Sequence, residues 1–252
     1  MKTKGKTVLI TGGTSGIGFA LAKKFAKEGY SLVLVASNEQ RLAKAKGLLE
    51  KNGYTTDVEL ICQDLSENGA AKQVYEKVCR KGLFVDVLVN NAGFGLVGEA
   101  IANDMEKEEA MLRINMQTLT QLCTLFLKDM YKRKQGKVLN VASVGALMPG
   151  PYTAAYYATK AYVASYSRAI RYEAAKYGVQ VCTLYPGTTR TKFFDRAGSK
   201  TPVWAMSPDK VAECAYRGLM RNKEMIIPGV MNKLLWLVPT KVKLIGVAVL
   251  KK

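Results

Sequence analysis

The side chains that can move a proton in this chain are restricted, because the sequence contains no histidine. A Ser-His-Asp triad, a Cys-His dyad and an imidazole-ligated metal are therefore excluded, and Tyr, Lys, Asp or Glu must carry the proton. Tyr156 and Lys160 stand one helical turn apart and so share a helix face, and Tyr172 and Lys176 have the same spacing. Only the first pair follows a predicted strand that ends in a serine, Ser143, and we favour that pair.

A glycine-rich segment follows the first predicted strand and opens the first predicted helix. Glycines in such a turn let the backbone approach a pyrophosphate, which the free amides and the dipole of the helix N-terminus stabilise. The spacing of the glycines departs from the GxGxxG fingerprint, so a strand-to-helix turn without a ligand stays an alternative. The segment reads Thr11-Gly12-Gly13-Thr14-Ser15-Gly16-Ile17-Gly18.

The residues after the second predicted strand bear on the choice of dinucleotide. An acidic residue at that point would accept hydrogen bonds from the ribose 2′-hydroxyl and would repel a 2′-phosphate. Ser37 stands there instead, Asn38 follows it, and Arg41 lies one helical turn further on. We therefore predict that NADP(H) is favoured over NAD(H), with Glu39 keeping the preference modest.

The elements that must position these residues follow from the apolar pattern. Short apolar runs alternate with longer helical patterns along nearly the whole chain, which indicates βαβ units around a parallel sheet. The runs are continuous, as expected for strands covered on both faces. We predict an α/β fold, a Rossmann-like, doubly wound parallel sheet of seven strands flanked by helices, in a single domain spanning residues 1–252. The predicted strands are 7–10, 31–36, 58–61, 85–90, 137–142, 179–185 and 224–227.

Two segments fall outside this regular pattern. Residues 187–206 join a strand to the next capped helix, and a connection of that length is usually functional, so we predict a substrate lid. Residues 229–252 form a C-terminal extension in which apolar residues are mixed with lysines. This extension is compatible with packing on its own domain or on a sister subunit, with covering an apolar substrate, and, less favoured, with peripheral contact to an anionic membrane.

Charge and cysteine content limit the partners and the compartment. Residues 127–252 hold 22 Lys and Arg against 6 Asp and Glu, a net charge of +16, which suits either plain solvation or an anionic substrate or partner. Basic residues are not interleaved with aromatic ones, so we expect no nucleic acid. The five cysteines form no CxxC pair, and no apolar stretch has the length of a signal-peptide core or a membrane span. We therefore expect buried thiols in a reducing cytosol, a cytoplasmic protein and no metal site.

Together these motifs resemble the short-chain dehydrogenase/reductase family over residues 5–228. Besides the glycine-rich turn and the Tyr156 and Lys160 pair, the resemblance rests on Asn115, on Ser143 and on two short motifs after the fourth and sixth predicted strands. Those motifs are Asn90-Asn91-Ala92-Gly93 and Pro186-Gly187. Within the family, the chain is most similar to bacterial reductases grouped with the D-alanine-esterification dehydrogenase and with hydroxysteroid and long-chain ketoacyl reductases.

The resemblance implies hydride transfer between a nicotinamide and a carbonyl carbon, with Tyr156 as the general acid/base. A phenol has a pKa near 10, and lowering it by roughly three units corresponds to about 4 kcal/mol in favour of the phenolate. The ammonium of Lys160 is expected to supply much of this and to bind the nicotinamide ribose. Ser143 would donate to the substrate oxygen. Asn115 matches the proton-relay position, with a helix-interior amide that satisfies the backbone as the alternative.

The cofactor site implied by the resemblance draws on several loops besides the glycine-rich turn. Asp64 and Leu65 resemble the adenine contact, Asn91, Ala92 and Gly93 the wall behind the adenosine ribose, and Pro186, Gly187, Thr189 and Thr191 the segment that clamps the carboxamide.

The substrate and the assembly are the least determined features. A homodimer or homotetramer is implied, formed through two long helices that match residues 104–133 and 153–177. Phe193, Phe194 and Trp204 in the predicted lid favour a bulky, apolar ketone or secondary alcohol, such as a hydroxysteroid or bile acid, with basic residues available for a carboxylate. The alternatives are a 3-oxoacyl group on coenzyme A or a carrier protein, and a cofactor-binding partner protein without turnover.

Overall fold

The computed structural model describes residues 5–54, 56–191, 193, 202, 204–238, 240, 242–244 and 247. Strands and helices alternate in the order that the sequence predicts. The strands are β1 (Thr7–Thr11), β2 (Ser31–Ala36), β3 (Val58–Cys62), β4 (Val87–Asn90), β5 (Gly136–Val141), β6 (Val179–Leu184) and β7 (Met225–Ile226). The α-helices are α1 (Gly16–Lys27), α2 (Glu39–Lys51), α3 (Ala70–Arg80), α4 (Met105–Leu112), α5 (Leu119–Arg133), α6 (Ala154–Ala175), α7 (Pro208–Met220) and α8 (Val230–Leu237).

The strands form one parallel sheet in the order β3-β2-β1-β4-β5-β6-β7. This confirms the predicted doubly wound, seven-stranded sheet. The direction of winding reverses between β1 and β4, and in such sheets ligands bind at that point, beyond the carboxyl ends of the strands. The two predicted strands that shorten most are 85–90, which begins at Val87, and 224–227, which is reduced to Met225–Ile226.

The sheet is covered by helices on both faces, which explains the continuous apolar runs of its strands. In β1, Leu9 packs into the layer that contains α3, α5 and α6, whereas Val8 and Ile10 pack into the layer that contains α1, α2 and α7. All three side chains are fully buried. Both faces of a central strand therefore stabilise the platform on which the loops are built.

The long helix predicted at 104–133 is interrupted. A π-helical segment, Arg113–Thr118, separates α4 from α5. Such segments occur often at functional sites. This one contains Asn115, whose side chain is fully buried.

The cysteines are free thiols in different environments. Cys123 and Cys182 are buried, and Cys62 and Cys214 are partly buried. Cys79 is exposed near the end of α3, so the expectation of buried thiols is wrong for this residue. Across the part of the chain that the structure describes, no helix is both long and apolar enough to cross a membrane.

Candidate active site

A cavity of about 880 Å³ opens beyond the carboxyl ends of the strands. Its walls come from the loops after β1, β2, β3, β4, β5 and β6 and from the start of α6. The reversal of winding between β1 and β4 therefore lies at the cavity, where the topology predicts a ligand.

The glycine-rich turn is held tightly between two other loops. Gly12 and Gly16 have φ values of 66° and 54°, in the left-handed region that favours glycine. A Cβ on Gly12 would lie 3.0 Å from Nδ2 of Asn91, and one on Gly16 would lie 2.9 Å from Cγ2 of Thr191. The missing side chains thus let the loop after β4 and the segment after β6 close around the turn.

Gly18 acts differently from the other glycines of the turn. Among the described residues it does not line the cavity, although we predicted it as a cofactor contact. A Cβ at this position would lie 2.3 Å from the carbonyl oxygen of Gly12 and 2.5 Å from Nδ2 of Asn91. Gly18 therefore serves the close packing of α1 against the turn.

The N-terminus of α1 is open towards the cavity. The cavity is lined there by Ser15, Gly16 and Ile17. Among the described residues, the Ser15 side chain makes no capping hydrogen bond to the first turn of α1, and that turn contains no acidic residue. Unpaired amides and the helix dipole attract an anion to such an end. With the two left-handed glycines beside it, this arrangement fits a pyrophosphate.

The loops after β1 and β4 are joined by one hydroxyl. Oγ1 of Thr11 accepts hydrogen bonds from the backbone N–H groups of Asn91 and Ala92, both at 3.0 Å, and donates to the carbonyl of Val89 at 3.3 Å. Nδ2 of Asn91 donates in return to the carbonyl of Thr11 at 2.9 Å. Asn91 and Ala92 line the cavity together with Gly93, and the network fixes the backbone of Asn91 and Ala92.

Ser143, Tyr156 and Lys160 come together on one wall of the cavity. Ser143 follows β5, and the other two lie in the first turns of α6. Nζ of Lys160 lies 5.8 Å from the centre of the Tyr156 ring and donates to the carbonyl of Val141 at 3.0 Å. Oγ of Ser143 accepts the N–H of Gly145 at 3.0 Å.

Burial shifts both titratable groups in the protein alone. It raises the pKa of the Tyr156 hydroxyl above its ordinary value, and the hydrogen bond with Ser143 opposes this only partly. Burial also lowers the pKa of Lys160 to about 8. The lowered tyrosine pKa that the resemblance implies stays a prediction for the site with its cofactor, because burial alone acts in the opposite direction.

The side chain of Asn115 supports the walls of the site without lining it. Its Oδ1 accepts the N–H of Phe94 at 3.3 Å, and its Nδ2 donates to the carbonyl of Phe94 and to Oγ1 of Thr159, both at 3.0 Å. Thr159 donates in turn to the carbonyl of Tyr156 at 2.7 Å. The amide thus bonds the backbone of Phe94 and the side chain of Thr159, and the proton-relay role stays a prediction. No sequence signal pointed to Thr159, because a threonine on a helix face is common.

The predicted cofactor contacts beyond the turn lie along the cavity wall. Asn38 is also the N-cap of α2, where its Oδ1 accepts the N–H of Arg41 at 2.9 Å. One carboxylate oxygen of Asp64 accepts from the N–H and the hydroxyl of Ser66 at 2.8 Å and 2.6 Å. The predicted residues that line the cavity are Gly12, Thr14, Ser15, Gly16, Ile17, Ser37, Asn38, Arg41, Asp64, Leu65, Asn91, Ala92, Gly93, Ser143, Tyr156, Lys160, Pro186, Gly187, Thr189 and Thr191.

The apolar wall of the cavity combines aromatic residues of the predicted lid with residues that the sequence analysis did not name. The ring of Phe193 lies 5.3 Å from that of Tyr156, centre to centre, and Tyr157 packs against the backbone at Gly145 and Gly150. Phe194, also predicted near the substrate, lies outside the described residues. The additional apolar and aromatic lining residues include Phe94, Leu96, Val97, Ala110, Ile114, Val144, Tyr157, Pro202 and Val247. Their chain positions are far apart, so only the fold brings them together.

The base of the predicted lid is fixed by backbone pairing. Thr189 forms a parallel bridge with Met206, and the N–H groups of Arg190 and Met206 donate to the carbonyls of Met206 and Thr188, both at 2.9 Å. Phe193 and Trp204, from the two ends of the segment, both line the cavity.

The competing tyrosine and lysine pair is placed elsewhere. Tyr172 is 88% exposed, and neither it nor Lys176 is among the described residues that line the cavity. Geometry thus separates two pairs that have the same spacing in sequence.

Comparison with known proteins gives consistent matches. Residues 6–202 match the family model of the short chain dehydrogenases. A fatty acyl-CoA reductase of Acinetobacter baylyi is 30% identical over 226 residues, which cover 88% of this chain and 76% of that protein. A short-chain dehydrogenase from Sphingobium yanoikuyae, solved in complex with NADPH, is 31% identical with a TM-score of 0.84, covering 89% of this chain and 88% of that one. A solved 7beta-hydroxysteroid dehydrogenase is 25% identical with a TM-score of 0.86 and 98% coverage of both chains.

Proposed function

The chain belongs to the short-chain dehydrogenase family and is an oxidoreductase that acts on CH–OH groups with a nicotinamide cofactor, and we propose that it interconverts a bulky, apolar ketone and the corresponding secondary alcohol with NADP(H). The observation that carries this proposal is the convergence of Ser143, Tyr156 and Lys160 on one cavity, between the open end of α1 and an apolar wall.

In the proposed reduction, Tyr156 gives its phenolic proton to the carbonyl oxygen of the substrate. When bound, the nicotinamide supplies the hydride, or accepts it in the reverse direction. The Ser143 hydroxyl orients the same oxygen and stabilises the charge that develops on it. Burial raises the pKa of Tyr156 and so makes the phenol a weaker acid, which a nearby positive charge would counteract.

Lys160 is proposed to supply the positive charge that the site needs beside Tyr156. Its ammonium lies beside the Tyr156 ring and is anchored on the carbonyl of Val141, so it supplies a fixed positive charge to a buried region. A positive charge favours the phenolate that remains after proton transfer. Asn115 is proposed to position the site. Its side chain hydrogen-bonds both the loop at Phe94 and Thr159, and Thr159 in turn bonds the carbonyl of Tyr156.

The preference for NADP(H) is supported by the residues at the end of β2. Ser37 and Arg41 are exposed and line the cavity, and position 37 holds no carboxylate that would repel a 2′-phosphate. The Asn38 side chain is used as the cap of α2, so we assign the phosphate to Ser37 and Arg41. The relative from Sphingobium yanoikuyae was solved with NADPH.

The proposed substrate class follows from the charges on the cavity wall. Among the described lining residues, only Arg41, Asp64 and Lys160 are charged, and they belong to the cofactor part and the catalytic group. The wall around Phe94, Phe193 and Trp204 is apolar or aromatic, so it suits a neutral hydrocarbon skeleton of steroid size. The basic residues expected for a carboxylate are not on the described part of this wall.

A second candidate is the reduction of an acyl substrate carried on coenzyme A or a carrier protein. Its support is the similarity to the fatty acyl-CoA reductase of Acinetobacter baylyi and the basic second half of the chain, which suits an anionic carrier. The two candidates differ at the mouth of the cavity, where the carrier would contact basic side chains.

The decisive experiment compares Tyr156→Phe with Tyr157→Phe, because both rings line the cavity and each substitution removes one hydroxyl. With NADPH and a panel of steroid ketones and 3-oxoacyl thioesters, we expect Tyr156→Phe to reduce kcat by a factor of about 10² to 10⁴ while leaving the Kd of NADPH nearly unchanged. Tyr157→Phe should retain most of the turnover. Equal losses in both variants, or turnover retained by Tyr156→Phe, would refute the assignment, and the preferred ketone of the panel distinguishes the two substrate classes.

A further inference from the structure

Two consecutive backbone carbonyls in the loop after β3 are bonded by the π-helical segment between α4 and α5. Nη1 of Arg113 donates to the carbonyl of Ser66 at 3.1 Å, and Oγ1 of Thr118 donates to the carbonyl of Leu65 at 2.8 Å. Thr118 and Leu65 are both buried. Leu65 and Ser66 line the cavity, whereas Arg113 and Thr118 are not among the described residues that line it. The segment therefore acts on the cavity through this loop.

The loop after β3 lies at the adenosine end of the proposed cofactor site. The sheet order β3-β2-β1-β4-β5 places the open N-terminus of α1, which follows β1, between this loop and Ser143, which follows β5. A dinucleotide with its pyrophosphate at α1 and its nicotinamide at the catalytic group must therefore extend its adenosine towards β2 and β3. The N–H of Gln63 donates to the carbonyl of Ala36 at 2.9 Å, so the loop starts beside Ser37.

The π-helical geometry separates these bonds from those of Asn115. Arg113 and Thr118 are five residues apart, which in an α-helix corresponds to about 140° around the axis. The i→i+5 hydrogen bonds of a π-helix bring such residues to the same side. An α-helix would instead place Thr118 on the face of Asn115, three residues before it. The segment thus bonds the loop after β3 from one side, while Asn115 bonds Phe94 and Thr159 from another.

We propose that Arg113 and Thr118 are positioning residues for the adenine of the cofactor, and that they act by fixing the backbone of Leu65 and Ser66. The inference rests on the proposed function, because it takes the cavity to hold a dinucleotide in the direction given above. Without the Thr118 hydroxyl, the carbonyl of Leu65 would be buried and unsatisfied, so the loop would shift to find another donor. Such a shift changes the surface that meets the base and leaves the catalytic group, at β5 and α6, in place.

The test measures how tightly the full-length protein binds each half of the cofactor. The adenine-end probe is adenosine 2′,5′-bisphosphate or adenosine 5′-monophosphate, whichever the wild type binds more tightly, and the nicotinamide-end probe is reduced nicotinamide mononucleotide. Thr118→Val removes the hydroxyl with little change of shape. It should raise the Kd of the adenine-end probe about tenfold and keep the Kd of the nicotinamide-end probe within about twofold of the wild type. Thr118→Ser restores the donor and should bind both probes nearly as the wild type does.

Thr56→Val is the matched control. The hydroxyl of Thr56 also donates to a backbone carbonyl of another part of the chain, that of Tyr30, but at the opposite end of β3 and outside the described lining of the cavity. This variant should bind both probes like the wild type. Arg113→Met repeats the test at the second residue, whose side chain is only partly buried, so this variant can be measured even if Thr118→Val is unstable.

Four results would overturn the proposal. They are an unchanged Kd of the adenine-end probe in Thr118→Val and Arg113→Met, equal weakening of both probes, a loss in Thr118→Ser as large as in Thr118→Val, and a wild type that binds neither adenine-end probe. Tighter binding of adenosine 5′-monophosphate than of the bisphosphate would contradict only the preference for NADP(H). No turnover is measured, so failure of the proposed reaction is seen separately.

Discussion

At the scale of single residues, we expect the charge of Lys160 to set the pH range over which the site is active. Burial lowers its pKa to about 8, so the ammonium is present below that pH and is lost above it. Loss of the positive charge raises the pKa of Tyr156 further and makes the phenol a weaker acid. We expect kcat/KM for NADPH in the reductive direction, which reports groups of the free enzyme, to be constant around neutral pH and to fall about tenfold per pH unit above about pH 8.

The control for this pH profile is Lys160→Arg, which carries a charge that does not titrate in this range. Its activity should be lower than that of the wild type, but the fall above pH 8 should disappear. A wild-type profile without a break between about pH 7 and about pH 9 would contradict the role of the Lys160 charge.

Ser37 is the residue at which the choice of cofactor is most directly tested. Ser37→Asp places a carboxylate where the 2′-phosphate of NADP(H) is proposed to lie, so repulsion should weaken NADPH while NADH gains an acceptor for its ribose hydroxyl. We expect the ratio of kcat/KM for NADPH over NADH to fall by roughly ten- to hundredfold.

The matched variant for that experiment is Ser37→Asn, which has the size of aspartate without its charge. It should change the ratio much less. The same ratio in both variants, or no change in either, would show that another residue reads the adenosine phosphate.

The sequence predicted residues that line the cavity better than residues that support its walls. Tyr156, Lys160 and Ser143 could be chosen because no other proton carrier combines that spacing with a preceding strand. Thr159 could not, since its role depends on a hydrogen bond to Asn115 from another helix, 44 positions away. The raised pKa of Tyr156 was likewise beyond the sequence, because it arises from burial by residues distant in the chain.

At the scale of elements, α1 must pack closely against the glycine-rich turn. A Cβ on Gly18 would lie 2.3 Å from the backbone oxygen of Gly12, which cannot move without the turn. We expect Gly18→Ala to lower the free energy of unfolding by about 1–3 kcal/mol and to weaken NADPH binding. Denaturant unfolding and a fluorescence titration with NADPH measure the two effects.

Gly47→Ala is the control in another helix. Gly47 lies inside α2, and a Cβ there meets no described atom within 4 Å. Alanine costs less conformational entropy than glycine in a helix, so this variant should be more stable by about 0.5–1 kcal/mol with unchanged NADPH affinity. Unaltered stability in Gly18→Ala would mean that the turn relaxes and does not restrain α1.

The order of elements followed from the sequence, but their interruptions did not. Continuous runs such as Val8 to Ile10 predict strands buried on both faces, and the sheet has them there. The π-helical segment Arg113–Thr118 could not be predicted from the spacing of apolar residues. One extra residue in a helical turn changes that spacing by less than the spacing varies from one ordinary helix to the next. Asn115, inside this segment, donates from Nδ2 to the carbonyl of Phe94 and to Oγ1 of Thr159, two partners that only the folded protein brings to it.

At the scale of the whole molecule, a net charge of +18 makes copies of the chain repel one another. Association therefore requires a surface without charge, and α5 and α6 offer one. Residues 114–127 and 161–167 contain no charged side chain. On this face the hydroxyls of Thr120 and Tyr162 are hydrogen-bonded at 2.8 Å, and the rings of Tyr162 and Tyr166 are stacked at 5.8 Å. We propose this pair of helices as the contact of a homodimer or homotetramer.

Ser165→Glu tests that contact, because Ser165 is exposed in the uncharged part of α6. In an interface this glutamate would be buried without a partner, at a cost of several kcal/mol per subunit, so the assembly should dissociate into monomers. Ala175→Glu places the same charge at the exposed end of the same helix, between Glu173 and Lys176, and should leave the assembly intact. Light scattering coupled to size-exclusion chromatography gives the masses. A wild-type monomer, or an unchanged oligomer in Ser165→Glu, would exclude this face of α5 and α6 as the contact between subunits. The repulsion between the highly charged copies would then not be offset by contacts at this face.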